Sequence, residues 1–307
     1  MITHYFQTVK DEEVKVLDAP RSGVWTYAVA PTDEDIEFLV KEFALDEATL
    51  QDARDFFEVP RMEKSGGVTY FFTRYPFDQE EEDVDTAPLL IVMGESFVLT
   101  VSPREVPQFK RFIDGKEAIH TTQKAKLFIQ MMGAITTSFE RKLVGLRRSV
   151  HRDRARLRSI GNKEIVRFVN YEHQLNDFVA AVVPTTTWLN QITGGNYMQM
   201  YTEDVELMED LMIANSQLVE SARSVLKTIQ NVRGASEAIL TNNLNATIRT
   251  LTVLTILLTI PTIVASLYGM NVPLPLAEHP YGFWLIMVFI AMVVSLVVWS
   301  FKRIKWL

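Results

Sequence analysis

The chain has 307 residues, 48% of them hydrophobic and 22% charged, with 31 basic and 38 acidic side chains and a net charge of −7. So much apolar material excludes a disordered chain. The length favours more than one part, and the absence of cysteine excludes a disulfide scaffold and thiolate metal sites. The acidic balance argues against general nucleic-acid binding and points to cations as partners.

Residues 1–118 read as a mixed α/β domain. Strand-like runs occupy 23–30 (GVWTYAVA), 67–77 (GVTYFFTRYPF), 87–94 (APLLIVMG) and 95–102 (ESFVLTVS), with Gly94 marking a hairpin turn. Between the first two, residues 31–43 carry a helix start, with Thr32 as N-cap and acids in the first turn. The run DQEEEDVD at 78–85 reads as a solvated acidic loop, with a specific cation site as the alternative.

From about residue 121 the pattern is helical. Breakers at Gly161-Asn162 and at 193–196 (TGGN) divide it into helices near 121–159, 163–192 and 197–268. The third is more than 70 residues, which at 1.5 Å each exceeds about 100 Å and implies packing against copies of itself. Ten basic residues and two acids lie in 141–167, a basic arm suited to an anionic membrane leaflet or an acidic neighbour, since no nucleic-acid motif accompanies it. Glu203, Asp204, Glu206, Glu209 and Asp210 open the third helix. Helix starts favour acids, but five exceed that need, so cation binding between subunits stands beside the bland reading.

The tail differs in kind. No residue from 250 to 277 is charged, and 250–269 (TLTVLTILLTIPTIVASLYG) matches the roughly 20 helical residues that a bilayer core needs. A second uncharged run fills 281–301. Arg233 and Arg249 precede the first span, and Lys302, Arg303 and Lys305 follow the second, whereas the loop at 270–280 has no basic residue. This bias places both termini in the cytoplasm and the loop outside, for a multi-pass protein of the cell (inner or plasma) membrane. The N-terminus lacks the apolar run of a signal peptide. Trp284, Trp299 and Trp306 suit the membrane interfaces. The first span carries Thr252, Thr255, Thr259, Thr262 and Ser266 at spacings of 3, 4, 3 and 4, with Gly269 continuing the series. That is one helix face. It suits a pore wall, and also close packing of one membrane helix on another; we favour the wall. Pro261 should bend the span or free a carbonyl.

The five histidines show no zinc spacing, and there is no phosphate-binding loop or dinucleotide fingerprint. The chain therefore reads as a non-enzyme, which leaves passive flow or structural anchoring.

The first span ends in Tyr268-Gly269-Met270-Asn271. With two C-terminal spans, a long helix leading in, an acidic α/β domain before it and a basic KRIKWL tail, this constellation resembles the CorA magnesium-transporter family, whose signature is Gly-Met-Asn at this place. The likeness is strongest over about 242–307. It implies an α+β membrane protein divided into a cytoplasmic α/β domain (1–118), a long-helix stalk or funnel (119–249) and a transmembrane hairpin (250–307, spans about 250–269 and 281–301, outer loop 270–280). It implies a homopentamer in the lipid bilayer with the first spans around a central pore, and no nucleic-acid partner. Asn271 would ring the outer mouth, beside Gly269 carbonyls and Met270. Thr262 falls on a pore-facing threonine, and Asn245, Ile248 and Leu251 on the inner constriction. Asp210 falls on a regulatory Mg²⁺ position, with Glu206 and Glu209 beside it. Its partner acid is open; Asp78 and Glu80, Glu81 and Glu82 are candidates. Mg²⁺ is the expected substrate and regulatory ligand. The alternative is Zn²⁺, Co²⁺ or Ni²⁺ through the same architecture, and Met270 tilts the choice to Mg²⁺.

The chemistry fits that implication. Mg²⁺ gives up water reluctantly, so neutral amides and carbonyls suit a hydrated ion that must enter and leave. Two departures from the family stand out. The loop reads VPLPLAEHPYGF, with Glu278 as its single acid, and Ile248 or Thr259 stands where a pore methionine is often found.

Overall fold

The computed structural model describes residues 1–78, 84–155, 162–192, 197–198, 200–272, 275, 279–304 and 306. The chain divides into two compact units, Met1–Val232 and Arg233–Leu307.

The first unit is built on a seven-stranded sheet. Its strands are β1 (Ile2–Phe6), β2 (Lys15–Leu17), β3 (Val24–Val29), β4 (Arg61–Ser65), β5 (Val68–Asp78), β6 (Val84–Met93) and β7 (Phe97–Ser102), in the order β2-β1-β3-β7-β6-β5-β4. All neighbours are antiparallel except β3 and β7. The four strand-like runs of the sequence are β3, β5, β6 and β7. The β6–β7 hairpin turns at Gly94, whose N–H donates to the Phe97 carbonyl at 3.1 Å. A β-carbon on Gly94 would overlap the Phe97 ring, so the turn needs glycine.

Successive side chains of a strand point to opposite faces, and each face is covered. Trp25, Tyr27, Phe71, Tyr75, Leu89, Ile91 and Val98 join one core. Val24, Ala28, Tyr70, Phe72, Leu90, Val92 and Leu99 join the other. Two short helices, α1 (Asp33–Phe43) and α2 (Glu47–Asp52), supply Ile36, Leu39 and Leu50 to the second core. Helix α1 begins as expected. The Thr32 hydroxyl accepts from the Asp35 N–H, and the Asp35 carboxylate accepts from the Thr32 N–H.

After α3 (Lys110–Ile113), the first core is closed by α4 (Lys124–Arg154), α5 (Asn162–Ile192) and the opening turns of α6 (Thr202–Tyr268). Phe128, Phe139, Phe168, Phe178 and Trp188 are all buried there, with Met208, Leu211, Leu218 and Val225 of α6. The expected start of α6 at 197 is five residues early. The Tyr201 carbonyl accepts the Val205 N–H, and the Asp204 carboxylate accepts the Tyr201 N–H at 3.1 Å, so Tyr201 caps the helix. The helix then continues without interruption through Pro261.

The second unit holds the remainder of α6 and helix α7 (Gly282–Arg303). Both contain windows long and apolar enough to cross a membrane, and only 6% of each window is buried. An apolar helix of a water-soluble core would be covered; these two are not.

Candidate ion pathway

Helix α6 sets the candidate pathway. At 100° per residue, Thr252, Thr255, Thr259, Thr262, Ser266 and Gly269 share a face about 100° wide. Asn245, Ile248 and Leu251 extend it toward the N-terminus. Ile248 and Leu251 are 52% and 62% exposed, as are Leu254 and Leu258 at 52% and 62%, so most of this stretch is uncovered within one chain. Thr252 of the stripe is half-buried; the other buried or half-buried residues along the span are Val253, Ile256, Leu257, Ile260, Pro261 and Val264. These others centre roughly 160° around the helix from the middle of the hydroxyl stripe. From Thr255 onward the stripe is therefore not the face that is covered within one chain.

The hydroxyls have a common geometry. Thr252, Thr255, Thr259 and Thr262 each donate to the carbonyl four residues back, at 2.8, 2.9, 2.7 and 2.8 Å. Thr247 and Thr250, off the stripe, do the same, so the bond is a property of helical threonine. Its consequence is specific to the stripe. With the proton turned inward, each hydroxyl offers its lone pairs outward, as acceptors. Water bound to a cation needs acceptors.

The far end of the span closes in a turn. The Gly269 N–H donates to the carbonyls of Ala265 and Ser266, and the Met270 N–H to that of Leu267. The Tyr268 hydroxyl donates to the Pro275 carbonyl at 3.2 Å, which ties this end to the loop. Met270 and Asn271 are exposed. A β-carbon at Gly269 would meet the Ala265 oxygen at 3.4 Å, an ordinary contact. One chain alone does not require glycine there. Glu278 lies outside the described residues.

In the first unit, Glu203, Glu206, Glu209 and Asp210 are exposed along the start of α6. Asp204 is buried in its helix-start hydrogen bond and is not available to a cation. Among the described residues no group of three or more histidine, aspartate or glutamate side chains is placed to hold a metal ion. Asp78, a candidate partner of Asp210, is paired with Lys142 of α4. Glu80, Glu81 and Glu82 lie outside the described residues. In the basic arm, the buried Asp153 accepts from Arg167 at 3.4 Å and from the Tyr171 hydroxyl at 3.0 Å, and burial raises the Tyr171 phenol.

The sequence reading missed one contact in the second unit. Arg249, at the start of the first span, lies 6.0 Å from the centre of the Trp306 ring in the tail. The two are far apart in the chain, and no spacing rule joins them.

The model of CorA-like Mg²⁺ transporter proteins matches residues 21–303. The chain belongs to this family. It is a family of membrane transporters rather than of enzymes. The cobalt/magnesium transport protein CorA of Methanocaldococcus jannaschii is 25% identical over 299 residues, which cover 92% of this chain and 91% of that protein. The complete structure of the CorA magnesium transporter from the same organism superposes with a TM-score of 0.87 at 21% identity, covering 100% of this chain and 99% of that one. The full-length CmaX protein shares the fold at a TM-score of 0.78 and 15% identity, over 99% and 97% of the two chains. The α/β domain, the long helix and the two apolar C-terminal helices are thus one architecture, and family and hairpin together make this a membrane protein.

Proposed function

We propose that this chain is a Mg²⁺ channel or uniporter, formed by a homopentamer whose five α6 helices surround a central pore. Hydrated divalent cations enter at Gly269-Met270-Asn271, pass the hydroxyl stripe and leave past Asn245, Ile248 and Leu251. Both termini lie in the cytoplasm, so an inside-negative potential drives the flow inward, by about 4.6 kcal/mol per 100 mV for a double charge. Cytoplasmic Mg²⁺ at Asp210, with Glu206 and Glu209, holds neighbouring subunits together and the pore shut. We divide the work among residues 1–118 as sensor, 119–249 as stalk and 250–307 as pore.

The observation that carries this reading is the placement of the stripe. From Thr255 onward its hydroxyls are outward acceptors on the side of α6 away from the residues that are covered within one chain. A ring of copies supplies what a single chain lacks: a reason for glycine at 269 and a cover for Ile248 and Leu251. These two would form an apolar constriction that closes by losing water. Cyclic assembly repeats each residue as a ring.

Mg²⁺ uptake into liposomes that hold the purified protein, under an imposed negative potential, tests it. Uptake should depend on Asn271 and be abolished by Asn271→Ala. Uptake of Zn²⁺ in the absence of any Mg²⁺ uptake would reassign the ion, with Co²⁺ and Ni²⁺ completing the series. Uptake indifferent to Asn271→Ala would remove the pore reading.

A further inference from the structure

Beyond its acidic start, α6 is poor in negative charge. The single acid in residues 221–277 is Glu237. It lies in the second unit, on the helix that carries the hydroxyl stripe, and it is exposed. At 100° per residue it falls about 10° from the middle of the stripe. Thr241, one turn on, falls about 30° from it. The face therefore continues inward past Asn245, through Thr241 to Glu237, which lies about 16 Å along the helix from Ile248. In the second unit α6 has two other charged residues, Arg233 and Arg249. They sit about 50° and about 110° from the middle, so the carboxylate is the charge nearest to it.

What lies between is apolar. Leu244, Ile248 and Leu251 fall within about 50° of the middle, and they are 59%, 52% and 62% exposed. Read inward, the face runs from hydroxyls to an apolar stretch, then to a hydroxyl and a carboxylate. An ion that has passed an apolar constriction must be drawn out of it, and rings of acidic side chains serve cation pathways in this way.

We propose that Glu237 is a further ion-binding residue of the pathway: in the assembled protein its carboxylates ring the inner end and draw divalent cations from the apolar constriction toward the cytoplasm. This rests on the pore reading above. One carboxylate about 8 Å from a divalent ion raises the ion's occupancy about fivefold even at the dielectric of water. In a ring of copies every carboxylate adds to that.

The test is Mg²⁺ uptake by the full-length protein in liposomes, under an imposed negative potential, with the amount of assembled protein matched by size-exclusion chromatography. Salt on both sides is set at about 0.01 M or at about 1 M. At low salt Glu237→Gln should slow uptake at least about fivefold. At high salt the variant should come within about twofold of wild type, because a Debye length of about 3 Å screens the ring. Glu237→Asp keeps the charge and should keep most of the rate. The double variant Glu237→Gln/Thr241→Glu returns a carboxylate to the same face and should recover the low-salt rate to within about twofold. Glu237→Gln/Asn243→Glu returns the same net charge about 130° from the middle and should stay slow. Unchanged low-salt uptake in Glu237→Gln overturns the proposal. So does slowing that persists undiminished at high salt, which would make it an effect on the helix. Equal recovery by the two double variants overturns it as well, since net charge alone would then explain the rate. Asn271→Ala, run alongside, reports on the pore alone. If it abolishes uptake while Glu237→Gln does not slow it, the pore stands and the inner ring falls. If Asn271→Ala leaves uptake intact, both fall.

Discussion

The side-chain amide of Asn215 on α6 donates at 3.0 Å to the hydroxyl of Thr136 on α4, and both side chains are buried. The same amide nitrogen also donates to the Leu211 carbonyl at 3.0 Å, and the Thr136 hydroxyl in turn donates to the Met132 carbonyl. Close by on the sheet side, Thr73 and Thr185 join β5 to α5 through their hydroxyls at 3.1 Å. A buried polar pair is worth little net when both partners are present, but leaving one partner unmet costs about 1–3 kcal/mol. Asn215→Ala should therefore lower unfolding stability by about that amount. Adding Thr136→Val should cost less than the two single changes summed, since the double variant leaves no unmet group. Denaturant unfolding of the four proteins checks it; strictly additive losses would show that the two side chains act independently. Within the first unit, the pair fixes where α4 meets the opening turns of α6.

The stripe itself predicts a contrast between two threonines of one helix. Thr262 lies on the stripe and Thr250 lies off it, yet both donate to the carbonyl four residues back. Thr262→Val and Thr250→Val thus remove the same helix contact. If the stripe lines the proposed pathway, only Thr262→Val also removes an acceptor for the ion's water, a loss of about 1 kcal/mol, or about fivefold in rate. Uptake assays on the two variants separate a wall residue from a helix effect; equal slowing by both would assign the loss to the helix.

Much of this fold was legible as period. Apolar, strand-like runs marked β3, β5, β6 and β7, because these interior strands are buried on both faces, each face feeding a different core. What was missed is the interior strand β1 (Ile2–Phe6), which pairs with β2 and β3, and the two edge strands. Strand β4 (Arg61–Ser65) reads RMEKS and has no apolar signature. It forms because its backbone pairs with β5, and its charges suit an exposed edge. Strand β2 has three residues and is visible only through its pairing with β1. In the candidate site, the stripe was legible because six residues of one helix carry it, and the tail contact of Arg249 was not, because tertiary folding makes it. The acidic start of α6 divided in the same way. Spacing alone could not tell that the Asp204 carboxylate is taken up by the Tyr201 N–H while Glu206, Glu209 and Asp210 face solvent.

A pH dependence follows from His4. Its ring lies buried in β1, with Nδ1 2.9 Å from the Thr26 hydroxyl, and burial lowers its pKa. A base whose folded pKa is depressed stays neutral in the native state while the unfolded chain takes up a proton. The unfolded state then binds more protons, so stability rises with pH across that window. The contribution is fully present above the unfolded value of about 6.5 and is lost as the pH falls toward the folded pKa. The melting temperature should fall between pH 7.5 and pH 5.5, and His4→Asn should flatten part of that fall. An unchanged slope in His4→Asn would assign the dependence to other groups.

Regulation by internal Mg²⁺ is a question about Asp210. The residue is exposed, with Glu206 one turn before it on the same side of α6. Two carboxylates on one face repel each other, and among the described residues no third acid or histidine completes a metal site with them. A single chain therefore offers an incomplete site, and a neighbouring subunit must supply the rest if Mg²⁺ is to bridge. Mg²⁺ would then act as a clamp whose loss leaves like charges facing each other and loosens the assembly. Asp210→Ala should raise the internal Mg²⁺ concentration needed to halve uptake, by about tenfold if one charge-assisted contact per interface is lost. Asp210→Asn should do the same, since it keeps the shape and removes the charge. Uptake measured at graded internal Mg²⁺ decides the matter. If inhibition is unchanged in both variants, Asp210 is a solvated helix-start acid and the sensor lies elsewhere.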